Sequence, residues 1–542
     1  LEHNERAWQV LNASGNLQLP RSEEIVPAEL AQNWRSARDE LVQSSFMQFD
    51  GHVYTIHPQI RHFALAHLPI EEKRRVHRVV AAYYYNQRQP NIDEWLAAFE
   101  HLESAGEPQD LREAIRVAVQ ASHVLDGRGY VSQLQIILRR AGWHASRLGN
   151  KTDEGLVQGR LGVMLRYLGQ YTEAEACLRS SLNFHQQEKD VENETRTLYE
   201  LAALLYESGN FTEAESCAQE ALSSFLKIGD QDGEAWTSLV LGKVQRGRGN
   251  YSAAQTHIER ALSIFRLHSS KEGWAWALYH RATLYEIQGQ FISALSNYEE
   301  AQRLFTASGL RRGLAWTTLG RCLVLVQQGR IEEAEKDGGD ALVLAREQGT
   351  RRCEAWALYA MGRVMLARQN KEQARAHFDT MFALCNEIGD RMSIAYALLV
   401  EGSLDMSERN FLDAKDSYEQ AQTIARSREA KYIEVRSLLG LGSVGLEMRR
   451  FSEAERFSRD ACALARELQF PLEQIQALYQ LGEISVACER YSDALDWWMQ
   501  ALALDGDIAL LPRVRERIEA LVAEQQLEER YNMLCARYHV AV

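Results

Sequence analysis

The pattern of apolar, small and polar positions repeats along most of the chain with a period of 40 residues, without insertion or deletion. In each period an apolar residue is followed three residues later by alanine, and nine residues before it lies a small residue such as Gly162, Ala202 or Gly242. Positions three, four and seven apart share one face of an α-helix. The period therefore predicts two helices per unit, A and B, and nine units over residues 151–510. The apolar position is filled by Tyr171, Phe211, Tyr251, Phe291, Ile331, Phe411, Phe451 and Tyr491, and by Lys371 in the sixth unit.

The third unit shows how each unit is expected to fold. Helix A is predicted over residues 234–246, a turn over 247–250 and helix B over Tyr251–Leu267. A glycine such as Gly229 follows helix B in several units, where a left-handed residue ends a helix. Proline is absent from residues 109–470, which favours continuous helical packing over sheets or linked modules.

Eight positions of the third unit carry a recognisable pattern: Leu241, Gly242, Gly249, Asn250, Tyr251, Ala254, Ala261 and Leu262. This pattern resembles the tetratricopeptide repeat, although the period is 40 residues rather than about 34 and no proline ends helix B. Both departures are typical of the long-helix variant found in signalling scaffolds and in the sensor regions of bacterial signal-transduction NTPases. The resemblance implies an all-α, right-handed superhelix with the A helices on its concave side. Residues 511–542 are expected to cap it with two helices.

Residues 1–95 have a different pattern. The predicted elements are a helix over 27–42, a β-hairpin around Asp50-Gly51, and helices over 58–66 and Ile70–Tyr85. Helix, hairpin and helix together suggest a small winged-helix-like domain that precedes the repeats.

Residues 57–64, followed by His77 and residues 81–85, resemble the end of the winged-helix region of STAND-class (NB-ARC-like) NTPases. In that family such a module joins the NTPase domain to a repeat sensor. The pattern of residues 96–150 predicts irregular helical pairs that bridge to the repeats. The chain begins at Leu1 rather than Met and contains no G-x-x-x-x-G-K-[ST] phosphate loop. We therefore expect an upstream domain to bind ATP or ADP, and no cofactor in this chain.

Charge and composition restrict the possible partners. Lys and Arg total 61 against 75 Asp and Glu, a net charge of −14, whereas surfaces that bind nucleic acid are basic. The basic residues 73–75 and Arg78 keep a DNA-binding winged helix as a less favoured alternative. The sequence shows no membrane-spanning stretch, no secretory signal and no C-x-x-C pair. We expect a cytoplasmic protein without membrane contact.

The strongest candidate for a binding site is an aromatic ladder on the A helices. Trp residues occupy one place in four consecutive units, and offsets of three and seven residues from that place fall on the same helical face. By the resemblance this face lines the concave groove, where rigid aromatic rings are typical of binding hot spots. The alternative is that the tryptophans fill the core between long helices. The predicted ligand-binding residues are Arg196, Tyr199, Trp236, Lys243, Trp276, Tyr279, Trp316, Trp356, Tyr359, Arg363 and Tyr396.

Other patterns indicate no chemistry. His57, His62 and His67 recur every five residues, whereas zinc-binding histidines on one helix are spaced four apart. The G-x-G-x-x-G match at residues 440–445 lies inside a predicted A helix with no strand before it. We find no nucleophile–base pair, so we expect no catalytic residues, no metal site and no enzymatic activity in this chain.

These features predict the sensor region of a STAND-type NTPase. A protein, peptide or small-molecule effector would bind in the concave groove and control the chain's own upstream NTPase domain. The main alternative is a constitutive protein-interaction scaffold without a switch. A phosphate loop encoded upstream of Leu1 would distinguish the sensor from the scaffold.

Overall fold

The computed structural model describes residues 47–49, 54–56, 69–87, 90–504 and 511–538, the first two ranges for the backbone alone. Within the described ranges, four helices precede the repeats: α1 (Ile70–Tyr85), α2 (Ile92–Ala105), α3 (Pro108–Val124) and α4 (Val131–Leu148). Nine helix pairs follow: α5 (Lys151–Tyr167) and α6 (Tyr171–Glu188), α7 (Val191–Glu207) and α8 (Phe211–Ile228), α9 (Gln231–Gly247) and α10 (Tyr251–Leu267), α11 (Lys271–Ile287) and α12 (Phe291–Ser308), α13 (Arg311–Gln327) and α14 (Ile331–Glu347), α15 (Arg351–Ala367) and α16 (Lys371–Ile388), α17 (Arg391–Glu408) and α18 (Phe411–Ser427), α19 (Lys431–Glu447) and α20 (Phe451–Glu467), α21 (Pro471–Ala487) and α22 (Tyr491–Leu502). The last two helices are α23 (Leu511–Gln525) and α24 (Glu528–Tyr538).

Two short strands lie near the start of the described residues. Strands β1 (Met47–Phe49) and β2 (Tyr54–Ile56) pair antiparallel with Phe49 opposite Tyr54. Four residues therefore connect them, where the Asp-Gly dipeptide suggested a two-residue turn. The helices predicted over 27–42 and 58–66, and the histidines at 57, 62 and 67, lie outside the described residues. The paired strands by themselves do not establish a winged-helix domain.

The chain divides into two compact units, and the division falls within α5. The first contains the residues up to 160 except 126–132, and the second contains 126–132 and the residues from 161 onward. In the first unit α1 packs on α2, and α2 packs on α3. The repeats belong to the second unit apart from the start of α5.

The basic cluster on α1 is engaged in ion pairs within the first unit. Arg78 Nε lies 2.6 Å from Asp110 Oδ1 and its Nη2 contacts Glu107, while Arg74 Nη1 lies 3.1 Å from Glu107 Oε1. Asp110 is buried at the start of α3. These contacts hold α1 beside the N-terminus of α3, so two of the four basic residues proposed for DNA phosphates already have partners.

Glycines at fixed places explain how the repeat helices begin and end. Gly229 ends α8 with a φ of 82°, and the side chain of Asp230 then accepts a hydrogen bond from Gly233 N at 2.9 Å. This cap starts helix A at Gln231 rather than at the predicted residue 234. In the turn between helices A and B, Gln369 of the sixth repeat takes the place that Gly249 holds in the third, and it keeps a left-handed φ of 61°. This conformation costs a residue other than glycine about 1–2 kcal/mol.

Small residues allow the A and B helices of a repeat to approach closely. A Cβ added to Gly242 on α9 would lie 2.9 Å from Ile258 Cγ1 on α10, and one added to Gly482 on α21 would overlap the ring of Trp498 on α22. Trp498 is fully buried and donates from Nε1 to Tyr479 O at 3.1 Å. The small residue of helix A therefore packs against helix B in these repeats.

Successive turns of the superhelix touch each other. The rings of Tyr251 and Phe470 stack with centroids 4.8 Å apart, and Arg248 Nε lies 3.2 Å from Glu429 Oε2. The stacked pair is separated by 219 residues of sequence, which is about five and a half repeats of 40 residues. In an open solenoid each repeat contacts its neighbours alone. Here a seam, defined by these two pairs, also joins one turn to the next.

Candidate functional site

The A helices form the inner wall of the superhelix. Consecutive A helices, such as α13 and α15 or α17 and α19, pack directly on each other. Consecutive B helices make at most marginal contact in the described part of the chain. Elements on the inside of a curve lie closer together than those on the outside, so the A helices, which carry the ladder, lie on the concave side.

Most of the predicted site residues are half-buried on this wall. Tyr359 is buried, with 9% of its surface exposed, and Arg196 is exposed. Arg196 forms an ion pair with Glu192 of its own helix at 2.8 Å, so the structure does not bring it to the aromatic ladder. The half-buried members are Tyr199, Trp236, Lys243, Trp276, Tyr279, Trp316, Trp356, Arg363 and Tyr396.

Two tryptophans of the ladder pack edge-on against buried phenylalanines of helix B. The ring of Trp236 lies 5.0 Å from that of Phe265, and the ring of Trp276 lies 4.9 Å from that of Phe305. Both phenylalanines are fully buried. A Cβ added to Gly273, at the start of the next A helix, would overlap the Phe265 ring. Part of each tryptophan therefore belongs to the core, as the packing alternative proposed.

In the next two repeats the ladder tryptophans pack against different residues. Ala345 stands where Phe305 stands one repeat earlier, and Trp316 packs against the cluster of Ala315, Ala345 and Cys353. Trp356 instead contacts Tyr396 of the following repeat, with ring centroids 4.9 Å apart. The Tyr279 ring lies 6.3 Å from that of Trp316. The aromatic rings thus contact each other along the wall from one repeat to the next.

Polar groups accompany these rings. Arg363 Nη1 donates to Tyr359 Oη at 3.0 Å, and Lys243 Nζ lies 4.6 Å from the centre of the Tyr206 ring. Burial lowers the pKa of Lys243 to about 8. A wall of aromatic faces with cationic groups beside them can bind a ligand through stacking, cation–π contacts and hydrogen bonds.

Families of known sequences match two parts of this chain. The family described as "MalT-like TPR region" matches residues 317–527, and the "Tetratricopeptide repeat" family matches residues 153–227 and 193–266. These residues form a tetratricopeptide-repeat region. A comparison with curated proteins found no match.

Three solved structures illustrate the likeness. A Rap protein in complex with competence and sporulation factor is 15% identical, with a TM-score of 0.48 over 68% of this chain and 99% of that one. A STAND protein with a tetratricopeptide-repeat sensor from Pyrococcus horikoshii is 15% identical, with a TM-score of 0.46 over 81% and 63%. Yeast Tom70 is 14% identical, with a TM-score of 0.39 over 89% and 100%. At these values no ligand or partner is carried over to this chain.

The sequence pattern missed two residues that share the ladder face of the tetratricopeptide repeats. Tyr206 and Arg246 lie ten residues after Arg196 and Trp236 respectively. An offset of ten completes the series of three and seven on one helical face, so extending the pattern by one helical turn would have found them. Arg246 Nη2 donates to Tyr206 Oη at 3.1 Å.

Other kinds of site have no support in the described residues. No group of three potential ligands there is arranged to hold a metal ion. All eight cysteines lie in the described part, and none forms a disulfide. Burial raises the pKa of Cys322 and of Cys385 to about 12, which keeps these thiols protonated and unreactive. Within the described ranges, no helix combines the length and apolarity needed to span a bilayer.

Proposed function

We propose that this chain is the ligand-sensing tetratricopeptide region of a STAND-type signalling NTPase. A protein, peptide or small-molecule effector would bind the inner wall of the superhelix, and binding would bias an NTPase switch elsewhere in a longer protein. The winged-helix-like module before the repeats would connect the two. The observation that supports binding is the row of half-buried rings along the A helices, together with the cations beside them.

The structure changes how the wall should be tested. Replacing Trp276 would disturb the buried ring of Phe305, at 4.9 Å, and confuse loss of binding with loss of packing. Trp316 is the better probe, because Ala345 takes the place of Phe305 and Trp316 packs against the cluster of Ala315, Ala345 and Cys353. Trp497 on α22 offers a matched control, since it is a half-buried tryptophan on a B helix.

The experiment begins by incubating the purified chain with an extract of its native host and identifying retained molecules by native mass spectrometry. The retained molecule is then titrated against the variants Trp316→Leu and Trp497→Leu. We expect Trp316→Leu to weaken binding at least about tenfold, a loss of about 1.4 kcal/mol, while Trp497→Leu binds as the wild type does. Equal affinity in all three proteins would refute an inner-wall site.

A constitutive scaffold is the second candidate, and tetratricopeptide repeats are suited to it because they bind protein or peptide partners. The sequence upstream of Leu1 distinguishes the two functions. A phosphate loop there, with a nucleotide hydrolysis rate that changes when the ligand binds, is expected for a sensor. Ligand binding without any effect on hydrolysis would favour the scaffold.

A further inference from the structure

The inner wall of the third repeat contains two cations that form no ion pair with a carboxylate among the described residues, although Glu207 acts on Lys243 and Arg246 acts on Glu286 from a greater distance. Lys243 Nζ lies over the Tyr206 ring, and Arg246 donates to hydroxyl groups alone, those of Tyr206 and Thr283. Both cations are half-buried. Withdrawing a cation from water without a counter-charge is unfavourable, and the packing of the fold gives no reason for it here.

The other charges that act on this site are already paired. Arg166 lies 3.0 Å from a carboxylate oxygen of Glu200 and 2.7 Å from one of Glu207. Arg352, from the sixth repeat, lies 3.0 Å from Asp390 Oδ2. These two arginines have three carboxylates between them, and Glu207 also acts electrostatically on Lys243. The four cations therefore outnumber the three carboxylates by one, which leaves a surplus of positive charge at the third repeat.

Two neighbouring side chains are affected by this positive charge. Burial by itself raises the pKa of Tyr206, but Arg246, Lys243 and Arg352 outweigh burial and lower that pKa below its ordinary value. Burial, reinforced by Lys243 and Arg246, holds the pKa of His280 well below its usual range. His280 is 9% exposed, and its Nδ1 atom has no hydrogen-bond partner in the described part of the chain. The site thus combines surplus positive charge with an unpartnered polar atom.

We propose that Tyr206, Lys243, Arg246 and His280 bind a phosphate group of the ligand. This inference rests on the proposed function and adds the chemistry that the wall recognises. The four side chains come from three consecutive A helices, so their polar groups approach from several directions. A phosphate group has enough acceptor oxygens around its phosphorus to bond with all of them, whereas a carboxylate presents two oxygens in one plane.

The aromatic ladder lies directly beside this site. The Trp276 ring is 6.3 Å from the His280 ring and nearly parallel to it, and the Tyr279 ring is 5.0 Å from the His280 ring. A ligand with a phosphate group and a flat apolar part would therefore contact both the cations and the ladder.

In the test, the full chain is titrated with inorganic phosphate and with citrate at constant ionic strength. Binding is measured by calorimetry and by the shift in thermal melting. We expect saturable phosphate binding that raises Tm, and weaker binding of citrate. Lys243→Met and Arg246→Met should each reduce phosphate affinity at least about tenfold. Lys227→Met, at an exposed position on α8, serves as the control and should leave the affinity unchanged.

Three results would overturn the proposal: no saturable phosphate binding, unchanged affinity in the two inner-wall variants, or tighter binding of citrate than of phosphate. Lys243→Met should fold because it removes an unpaired charge, and Lys243→Gln provides a second variant that keeps polarity. The ligand captured from the host extract distinguishes failure of this inference from failure of the proposed function. If Trp316→Leu weakens that ligand while Lys243→Met does not, the phosphate site is wrong and the inner-wall function stands.

Discussion

Replacing Phe470 with leucine tests whether successive superhelical turns are closed against each other in solution. Phe470 has 1% of its surface exposed, and its ring stacks on Tyr251 of a repeat 219 residues earlier in the chain. A stacked aromatic pair contributes about 0.5–1.5 kcal/mol beyond its buried area. If the seam is closed, Phe470→Leu should destabilise α10 although the substitution lies just before α21.

Local hydrogen exchange is the appropriate assay, because long repeat arrays do not unfold in a single cooperative step. Amide exchange is measured by mass spectrometry on peptides from α10 and α21 in the wild type, in Phe470→Leu, in Tyr251→Leu and in the double variant. We expect each single variant to speed exchange in both helices. The double-mutant cycle should give a coupling energy of about 0.5–1.5 kcal/mol.

Phe211 provides the control for this cycle. It occupies the same place as Tyr251 one repeat earlier, is buried, and stacks on Tyr206 within its own repeat at 5.8 Å. Phe211→Leu should leave exchange in α21 unchanged and should be additive with Phe470→Leu. A coupling energy between Tyr251 and Phe470 below about 0.3 kcal/mol, with α10 unaffected by Phe470→Leu, would show that the turns are separate and would refute the seam.

Two further predictions concern stability. Gly482→Ala should lower the free energy of unfolding by about 1–3 kcal/mol, because the added methyl group overpacks against the buried Trp498. At Gly339 an added Cβ meets nothing, so Gly339→Ala should stabilise its helix by up to about 1 kcal/mol. Equal shifts of the midpoint in chemical or thermal unfolding would contradict this contrast. Burial raises the pKa of Glu286 to about 7, opposed by the hydrogen bond that Tyr298 Oη donates at 3.0 Å. Because the folded state then binds more protons than the unfolded state between pH 4.5 and 7, this group makes stability fall as pH rises through that window. Glu286→Gln should remove the fall, so wild type and variant should differ more at pH 8 than at pH 5, and parallel pH profiles would exclude the effect.

The individual helices could be predicted from the sequence because the period has no insertions. Helix α10 begins and ends at the predicted residues Tyr251 and Leu267, and α9 differs at its start because the Asp230 cap adds a turn. The seam could not be predicted in this way. It depends on the small rotations between repeats, accumulated over about four and a half to five and a half repeats of 40 residues. The 40-residue period does not specify these rotations.

The aromatic ladder also shows, within a single repeat, what the sequence period alone cannot predict. The recurrence of tryptophan placed Trp236 and Trp316 on one face, yet the first packs on Phe265 and the second against the cluster of Ala315, Ala345 and Cys353. The residue 29 positions after each tryptophan is Phe265 in one repeat and Ala345 in the other. A comparison of helix B between repeats would therefore have separated the tryptophans that pack on a phenylalanine from the others.

Closure of the superhelix affects what its inner wall can recognise. Arg352 acts on the pKa of Tyr206 although the two belong to the sixth and second repeats, because the turns of the superhelix bring these repeats together. A phosphate group bound at Tyr206 and Lys243 would feel the charge of Arg352 only while the second and sixth repeats stay close to each other. Binding and closure would then favour each other by linkage. In a sensor, this coupling would convert occupation of the inner wall into a change of shape between repeats that are distant in sequence.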